Sequence, residues 1–319
     1  MPADPLAAYR AYCADRPAVP LFNRPAWLDV VCGAQPWRVA ATFADAGQAL
    51  TFLPYTAHRR YGQTFVLQPP LCPALRLVHT HTEPRMRRYK YYGRRDREVQ
   101  ATLAALPAAP LTSLVLDDRF DGAVSAARAD FAVQPRFSYT LDLTRSEAEQ
   151  LADYKPSLRK DLRDFARRPE PITPLDPTDG YAFFRAHLRE RDVGFPLSEQ
   201  QWRQLADTFH PTGQWRITGI RQAGHWVAAL ATASDATTGY TLLSARDPQR
   251  DRHGGMAALF HEATVHARAS GRTHFDFCGS QLPGVEPFLR AFGAVRTPRS
   301  LLRRYRNPLW ETGLRLLGR

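Results

Sequence analysis

Residues 239–246 read Gly239-Tyr240-Thr241-Leu242-Leu243-Ser244-Ala245-Arg246, a strand, and the elements after it settle the architecture. A basic turn containing glycine, Asp247–Gly255, leads into a helix at Met256–Ser270. A second strand at Thr273–Cys278, a short helix at Val285–Ala291 and a last strand at Ser300–Arg306 complete the pattern. The turn contains Arg250-Asp251-Arg252-His253-Gly254-Gly255 and presents backbone N–H groups at a helix N-terminus. Four amides there lack helical partners and the helix dipole adds partial positive charge, so a phosphate or another anion is expected at that point. Arg246, Arg250, Arg252, His253, Gly254 and Gly255 are therefore the expected contacts to the phosphates of a co-substrate. A Gly-Gly turn often only caps its helix; the neighbouring elements give this one its weight.

Upstream, a strand around Ile172 precedes a helix with Thr178 as N-cap that runs to about Arg191. Ser198 opens another helix through a capping box with Gln201. Strands at Gln214–Ile220, His225–Ser234 and Gly239–Arg246 form a meander, with Arg221-Gln222-Ala223-Gly224 as a hairpin turn. The order β-α-α-β-β-β-α-β-α-β resembles the GNAT acyltransferase fold. Two stretches resemble its Fem-like branch, which includes peptidoglycan aminoacyl transferases and bacterial acetyltransferase-like proteins. One runs from Tyr154-Lys155-Pro156-Ser157 to Leu162-Arg163. The other is Phe275-Asp276-Phe277-Cys278-Gly279-Ser280, followed by Pro283-Gly284-Val285-Glu286-Pro287-Phe288 and Phe292-Gly293-Ala294. The resemblance covers about Leu141 to Arg306, and the first half by architecture alone. It implies an α/β protein of two tandem GNAT-like lobes with mixed, mostly antiparallel sheets. It also implies an N-acyltransferase or aminoacyltransferase using acyl-CoA or aminoacyl-tRNA as co-substrate, with no tightly bound cofactor. One departure matters. Relatives that use coenzyme A carry a Gln/Arg-x-x-Gly-x-Gly/Ala loop; with Gly254 as its first glycine, Asp251 and Met256 occupy the other defining positions. Both donors stay open.

The chain has 319 residues, 44% of them hydrophobic and 11% aromatic, which fits one large domain or two ordinary ones with a proper core. No apolar run reaches the ~18 residues of a membrane helix, and the N-terminus lacks the layout of a signal peptide, so a cytoplasmic protein is expected. Cys13, Cys32, Cys72 and Cys278 are scattered without a Cys-x-x-Cys pair, so neither a disulfide framework nor a zinc site is suggested. The net charge of +12 fits a polyanionic partner such as tRNA, a nucleotide-linked substrate or anionic lipid. Only Lys90, Lys155 and Lys160 are lysines among 43 basic residues, a bias that codon composition also produces.

The first half echoes the second. Trp37–Phe43 and Ala49–Thr56 read as a strand pair around Asp45-Ala46-Gly47, with a third strand at Gln63–Leu67. A helix at Asp96–Leu106, a strand at Ser113–Leu116, a helix at Gly122–Ala129 and a strand at Phe137–Leu143 come next. Phe131-Ala132-Val133-Gln134-Pro135-Arg136 parallels the stretch from Phe292 to Arg299. The expected lobes are residues 1–145 and 146–319, the second carrying the linking helix and a basic tail. That linker is helical by pattern, with Leu151, Tyr154, Leu158, Leu162 and Phe165 on one stripe and Pro156 as the starting point of its second part.

Candidate chemistry sits at several points. Lys155, Arg159 and Lys160, on or beside that helix, and Ser280, in the loop after the last inner strand, are the expected substrate contacts. A charged helix face is commonly just solvated. Asp276, on the strand beside the anion-binding turn, is the expected base for an attacking amine, with Tyr240 as a proton donor to the leaving group. Asp276 equally suits a structural bond to the loop at Gly279. The run Arg85–Arg97 holds seven basic residues and three tyrosines, which suits single-stranded nucleic acid or a solvated loop. His261-Glu262-Ala263-Thr264-Val265-His266 has one residue too many for the His-Glu-x-x-His zinc signature, which turns the two imidazoles about 140° apart. His79 and His81 alternate onto one side of an extended segment without an evident third ligand. At the end of the chain, Leu309, Trp310, Leu314 and Arg315 form an amphipathic tail that either docks on its own lobe or touches a membrane surface. Together these readings predict acyl or aminoacyl transfer to a small-molecule or lipid-linked amine. The alternative is a non-catalytic module for an anionic or nucleic-acid ligand.

Overall fold

The computed structural model describes residues 4–45, 47–60, 62–81, 86–168, 170–251, 254–279 and 284–306. The chain divides into two compact units, residues 1–136 with 298–319, and residues 137–297. The first holds α1 (Pro5–Ala14), α2 (Pro25–Cys32), β1 (Trp37–Phe43), β2 (Ala49–Arg60), β3 (Gln63–Leu67) and β4 (Val78–His79). It continues with α3 (Arg88–Ala104), β5 (Leu111–Leu116), α4 (Ala123–Arg128) and the start of β6 (Ala132–Asp142). The second holds α5 (Glu147–Asp153), α6 (Pro156–Ala166), β7 (Ile172–Pro174), α7 (Pro177–Arg189) and α8 (Glu199–Phe209). Then come β8 (Trp215–Gln222), β9 (His225–Ser234), β10 (Thr238–Arg246), α9 (Gly255–Ala269), β11 (His274–Asp276), α10 (Glu286–Arg290) and β12 (Val295–Tyr305). The chain leaves the first unit within β6 and re-enters it within β12.

In the first unit the strand order is β1-β2-β3-β5-β12, with β4 beside β2. In the second it is β6-β11-β10-β9-β8-β7. There β10 and β11 are parallel and the other neighbours antiparallel. The turn between β8 and β9 puts Ala223 at φ 46° and Gly224 at φ 82°, the two left-handed residues of a hairpin turn whose twist suits its strands. Alternation along β9 sends Leu230 under α9, where Phe260, Ala263, Phe275, Phe277 and Phe292 close the core. Ala231 and its partner Ile217 face the other way, and a Cβ on Gly180 of α7 would lie 3.2 Å from the Ile217 side chain. On that side Trp202 of α8 meets Trp215 edge-on at 4.9 Å, both fully buried.

The caps differ from expectation in instructive ways. Ser198 and Gln201 form the expected capping box. For α7, Asp176 and not Thr178 is the N-cap; its carboxylate accepts the Thr178 N–H at 2.8 Å, and Pro177 fills the first helical position. The linker is helical on both sides of Pro156, breaking between Asp153 and Pro156, and buries Tyr154 and Leu158 of the expected stripe. Helix α3 begins at Arg88, eight residues before the expected Asp96. Arginine and lysine are good helix formers and outweigh Gly93 over such a length, so the Arg/Tyr run is helix from Arg88 onward. Helices α1 and α2, each opened by a proline in the first turn, had no sequence expectation. The C-terminal tail read as amphipathic lies outside the described residues.

Candidate active site at the parting of two strands

Strands β10 and β11 pair over three positions, Thr238–His274, Gly239–Phe275 and Tyr240–Asp276. Close approach requires the glycine: a Cβ at Gly239 would lie 2.8 Å from the Phe275 ring and 3.1 Å from Ala267 Cβ. Beyond Tyr240 the strands separate. β10 bulges against β9 between Thr241 and Leu243 and continues along β9 to Arg246. The chain after β11 instead stays with β6, where the Phe277 N–H donates to the Tyr139 carbonyl at 3.0 Å. Cys278 then adopts φ 54°, and Asp276 Oδ1 holds this turn by accepting the Cys278 N–H at 2.7 Å. The same oxygen accepts the Ser138 hydroxyl.

The two residues expected to be catalytic are thus register neighbours at the point of parting, and both are engaged. Asp276 is buried and shapes the turn that carries the chain away from β10. The Tyr240 hydroxyl donates to Asp235 Oδ2 at 2.7 Å, and burial followed by the Asp235 charge pushes the phenol well above its ordinary value. Asp235 is itself a turn anchor, accepting the Thr237 and Thr238 amides at 2.9 Å.

The expected anion site is different from its sequence reading. The Asp251 carboxylate, 3% exposed, accepts the Gly255 N–H at 2.9 Å and the Met256 N–H at 3.1 Å. Two of the amides read as free for a phosphate are therefore capped by the protein's own acid, which also offsets the positive end of the helix dipole. Gly254 sits at φ 80° with its absent Cβ 2.6 Å from the Asp161 carbonyl, so α6 lies directly against the start of α9. Arg250 is half exposed and 3.6 Å from Asp247, and Arg246 is exposed at the end of β10. Arg252, His253 and Ser280 lie outside the described residues.

On the linker, Lys160 forms an exposed pair with Asp164 at 2.6 Å, an arrangement worth little in stability. Lys155 is exposed, its backbone N–H bonded to the Ala291 carbonyl at 2.8 Å. Arg159 is half-buried and, among the described residues, its side chain makes no hydrogen bond or ion pair. Because α6 touches Gly254, the fold brings the expected substrate helix and the expected co-substrate turn together.

Sequence reasoning missed one polar group near the loop after β11. The Tyr139 hydroxyl donates to Glu286 Oε1, and Arg296 Nη2 reaches the same hydroxyl at 3.3 Å. The Arg296 guanidinium lies 5.3 Å from the Phe137 ring centre. Glu286 stood within the quoted motif, but no local signal ties it to a tyrosine so far away in the chain. In the first unit, Glu98 is the group absent from the reading of His79 and His81. Its carboxylate lies 2.7 Å from His79 Nδ1, 3.2 Å from His81 Nε2 and 2.8 Å from Arg94 Nε. Burial alone would raise the Glu98 pKa; the His79 and Arg94 hydrogen bonds outweigh it and lower it. His261 meets the Tyr154 hydroxyl at 3.2 Å, whereas His266 lines a cleft with Arg216.

Known proteins share this fold. Residues 143–290 match the family model described as Acetyltransferase (GNAT) domain. No curated protein matches the chain significantly. Among solved structures the chain is similar to FemX, with a TM-score of 0.65, 12% identity and 98% of each chain covered. It is also similar to a tandem GNAT protein from the clavulanic acid biosynthesis pathway, with a TM-score of 0.54, 13% identity and 97% and 98% of the two chains covered. A third likeness is to L-PGS from Bacillus licheniformis, with a TM-score of 0.53, 14% identity, and 92% and 97% covered. Residues 143–290 are thus a GNAT acetyltransferase-family domain, and the chain around them has the Fem-like, tandem GNAT fold.

Proposed function

We propose that this chain is an enzyme that moves an acyl or aminoacyl group from an activated carrier to an amine, at the parting of β10 and β11. The observation that carries the reading is the parting itself, which lies within the family-matched domain. An activated carbonyl seated there would meet β10 backbone amides beyond the bulge. Such donors stabilise the oxyanion formed by direct amine attack, commonly by ~3 kcal/mol each. No covalent intermediate on the protein is required. Asp276 acts chiefly as a positioning residue in this scheme, because its carboxylate is committed to Cys278 and Ser138. Tyr240 supports β10 through Asp235.

The carrier we favour is aminoacyl-tRNA. A phosphate donor group gripped by α9 would have to displace the buried Asp251 carboxylate from Gly255 and Met256, which argues against a pyrophosphate held in that way. Lys155 and Arg159, at the start of the helix whose Asp161 meets Gly254, supply positive charge for a phosphodiester instead. The acceptor we favour is a small-molecule or lipid-linked amine, in keeping with the chain's likeness in fold to a putative lysylphosphatidylglycerol synthetase domain. The test is transfer to a panel of amines from acetyl-CoA and, separately, from charged tRNA, with thermal stabilisation by each donor measured in parallel. Stabilisation and transfer with charged tRNA, falling steeply as salt rises, is the expected result. Transfer from acetyl-CoA alone would remove the tRNA assignment and keep the acyltransferase; absence of transfer from both would remove the enzyme.

A further inference from the structure

Helix α3 carries the Arg/Tyr run on its first three turns, and the reaction proposed above uses none of it. Two large rings stand in solvent there: Tyr89 is 66% exposed and Tyr92 56%. Three positions apart, they lie on one side of the helix, about 60° from each other. Tyr91 steadies the second ring. The Arg95 guanidinium lies over the Tyr91 ring at 5.3 Å, Arg95 Nε donates to the Tyr91 hydroxyl at 3.1 Å, and Tyr91 meets Tyr92 edge-on at 5.1 Å. Gly93 comes four residues after Tyr89 and four before Arg97, on the same row of the helix. A Cβ there would meet nothing within 4 Å, so the row leaves open space beside the rings, at a position where glycine weakens the helix.

Charge on this surface is one-sided. Arg87, Arg88, Lys90 and Arg97 are exposed, and among the described residues their side chains make no hydrogen bond or ion pair. The acids of the run are already engaged. Glu98 is buried against His79 and Arg94, and the Asp96 carboxylate accepts the Ser125 hydroxyl of α4 at 2.6 Å. The first turn of α3 holds no acid, and no side chain caps it among the described residues. Cations at a helix N-terminus stand against the dipole, which favours negative charge there. This arrangement costs stability in the free protein and turns favourable when an anion lies along the helix.

We propose that the N-terminal half of α3 binds an unpaired nucleic-acid strand, with bases stacked on Tyr89 and Tyr92 and phosphates against Arg88, Lys90 and Arg97. Exposed rings set among unpaired cations match a polymer in which flat bases alternate with negative charge. A duplex keeps its bases inside its own stack and offers the rings nothing. An anionic membrane is the poorer fit, because residues 88–98 include no Leu, Ile, Phe or Trp to enter hydrocarbon. The surface lies wholly in the first unit, and the proposal stands whether or not transfer occurs where β10 and β11 part.

The test is fluorescence anisotropy of the full chain with a labelled, unacylated RNA strand of about a dozen nucleotides, over a range of salt. Tyr89→Ala and Tyr92→Ala should each weaken binding by about fivefold to 100-fold, the loss of one stacked base. Tyr89→Phe, which keeps the ring, should bind as wild type does. Arg88→Gln combined with Lys90→Gln should flatten the slope of log affinity against log salt by about 1.4, at about 0.7 for each phosphate contact on a single strand. Gly93→Leu closes the open space yet favours the helix, so the severalfold weaker binding expected of it cannot come from unfolding. No binding by wild type, or unchanged binding in both alanine variants, overturns the surface. A duplex of the same sequence bound as tightly overturns the unpaired strand. Phosphatidylglycerol vesicles bound with the same dependence on Tyr89 and Tyr92 overturn nucleic acid in favour of a membrane.

Discussion

Each unit contains a pair of parallel strands bridged by a long helix, and the two pairs end differently. In the first unit β3 and β5 pair at Val66–Thr112 and Leu67–Ser113, with α3 in the crossover. Past that point the chain closes its own gap. Gln68 Oε1 accepts the Val115 N–H at 2.9 Å, the Leu75 N–H donates to the Val115 carbonyl at 2.9 Å, and the Asp117 N–H donates to the Leu75 carbonyl at 2.9 Å. In the second unit β10 and β11 part after Tyr240 and Asp276, and among the described residues no segment is bonded between them. Backbone donors in a sheet must find partners. The first unit supplies them from residues 68–75. In the function proposed above, the second offers them to the activated carbonyl, so that one topology serves as scaffold in one place and as reaction site in the other.

Catalysis should separate the two units by the widest margin. Asp276→Ala frees the turn at Cys278 that separates the strands, and kcat/KM for transfer should fall by about 100-fold, the size expected when donors to an oxyanion lose their positions. Gln68→Ala, which reopens the sealed gap in the first unit, should change kcat/KM by less than about twofold while costing about 1–2 kcal/mol in urea unfolding. Equal losses of activity from the two substitutions would erase the distinction between the units.

The next effect is on folding. Gly254→Val places a branched side chain at φ 80° against the Asp161 backbone, and should cost about 3 kcal/mol or more, read as a lower urea midpoint at unchanged slope. A smaller loss would mean that α6 lifts easily from α9. Asp251→Ala removes a buried cap and should cost about 1–2 kcal/mol. In return it frees Gly255 and Met256, so calorimetry should detect tighter binding of coenzyme A than in wild type. Weaker binding would show that Asp251 assists the donor instead of excluding its phosphates.

The smallest effect is in pH. In the second unit His187, His261 and His266 are harder to protonate folded than unfolded, chiefly through burial, whereas in the first unit, among the described residues, His58 alone is shifted this way. The unfolded chain therefore takes up more protons, and stability declines as pH falls from about 6.5 towards the lower folded values. Glu98, in the first unit, has a depressed pKa, so its contribution is complete above about pH 4.3 and is lost only as pH falls through the folded value. Hydrogen exchange at pH 5.5 should accordingly quicken in the second unit before the first.

Much of this was legible in the residues. The order of elements from Ile172 to the last strand, the capping box at Ser198 and the hairpin at Ala223-Gly224 are local patterns, and periodicity reports them directly. The α6 stripe likewise announced a buried face, and Leu158 is 3% exposed. Legibility failed where a polar group had more than one partner available. Asp251 was visible as a departure from the coenzyme A loop, yet nothing local said that its carboxylate would turn onto the amides of Gly255 and Met256. Asp276 read either as a base or as a structural acceptor, and no local signal pointed to the bond it accepts from Ser138, far off in the chain.

Strands, helices and most of their ends could be read from the residues alone, because these depend on side-chain periodicity, proline, glycine and caps within a few positions. Which carboxylates are free, and which gap between strands stays open, emerged only once the chain had folded. A hydrogen bond is chosen by whatever donor and acceptor the folded chain brings within about 3 Å, and that proximity is not written in any single stretch.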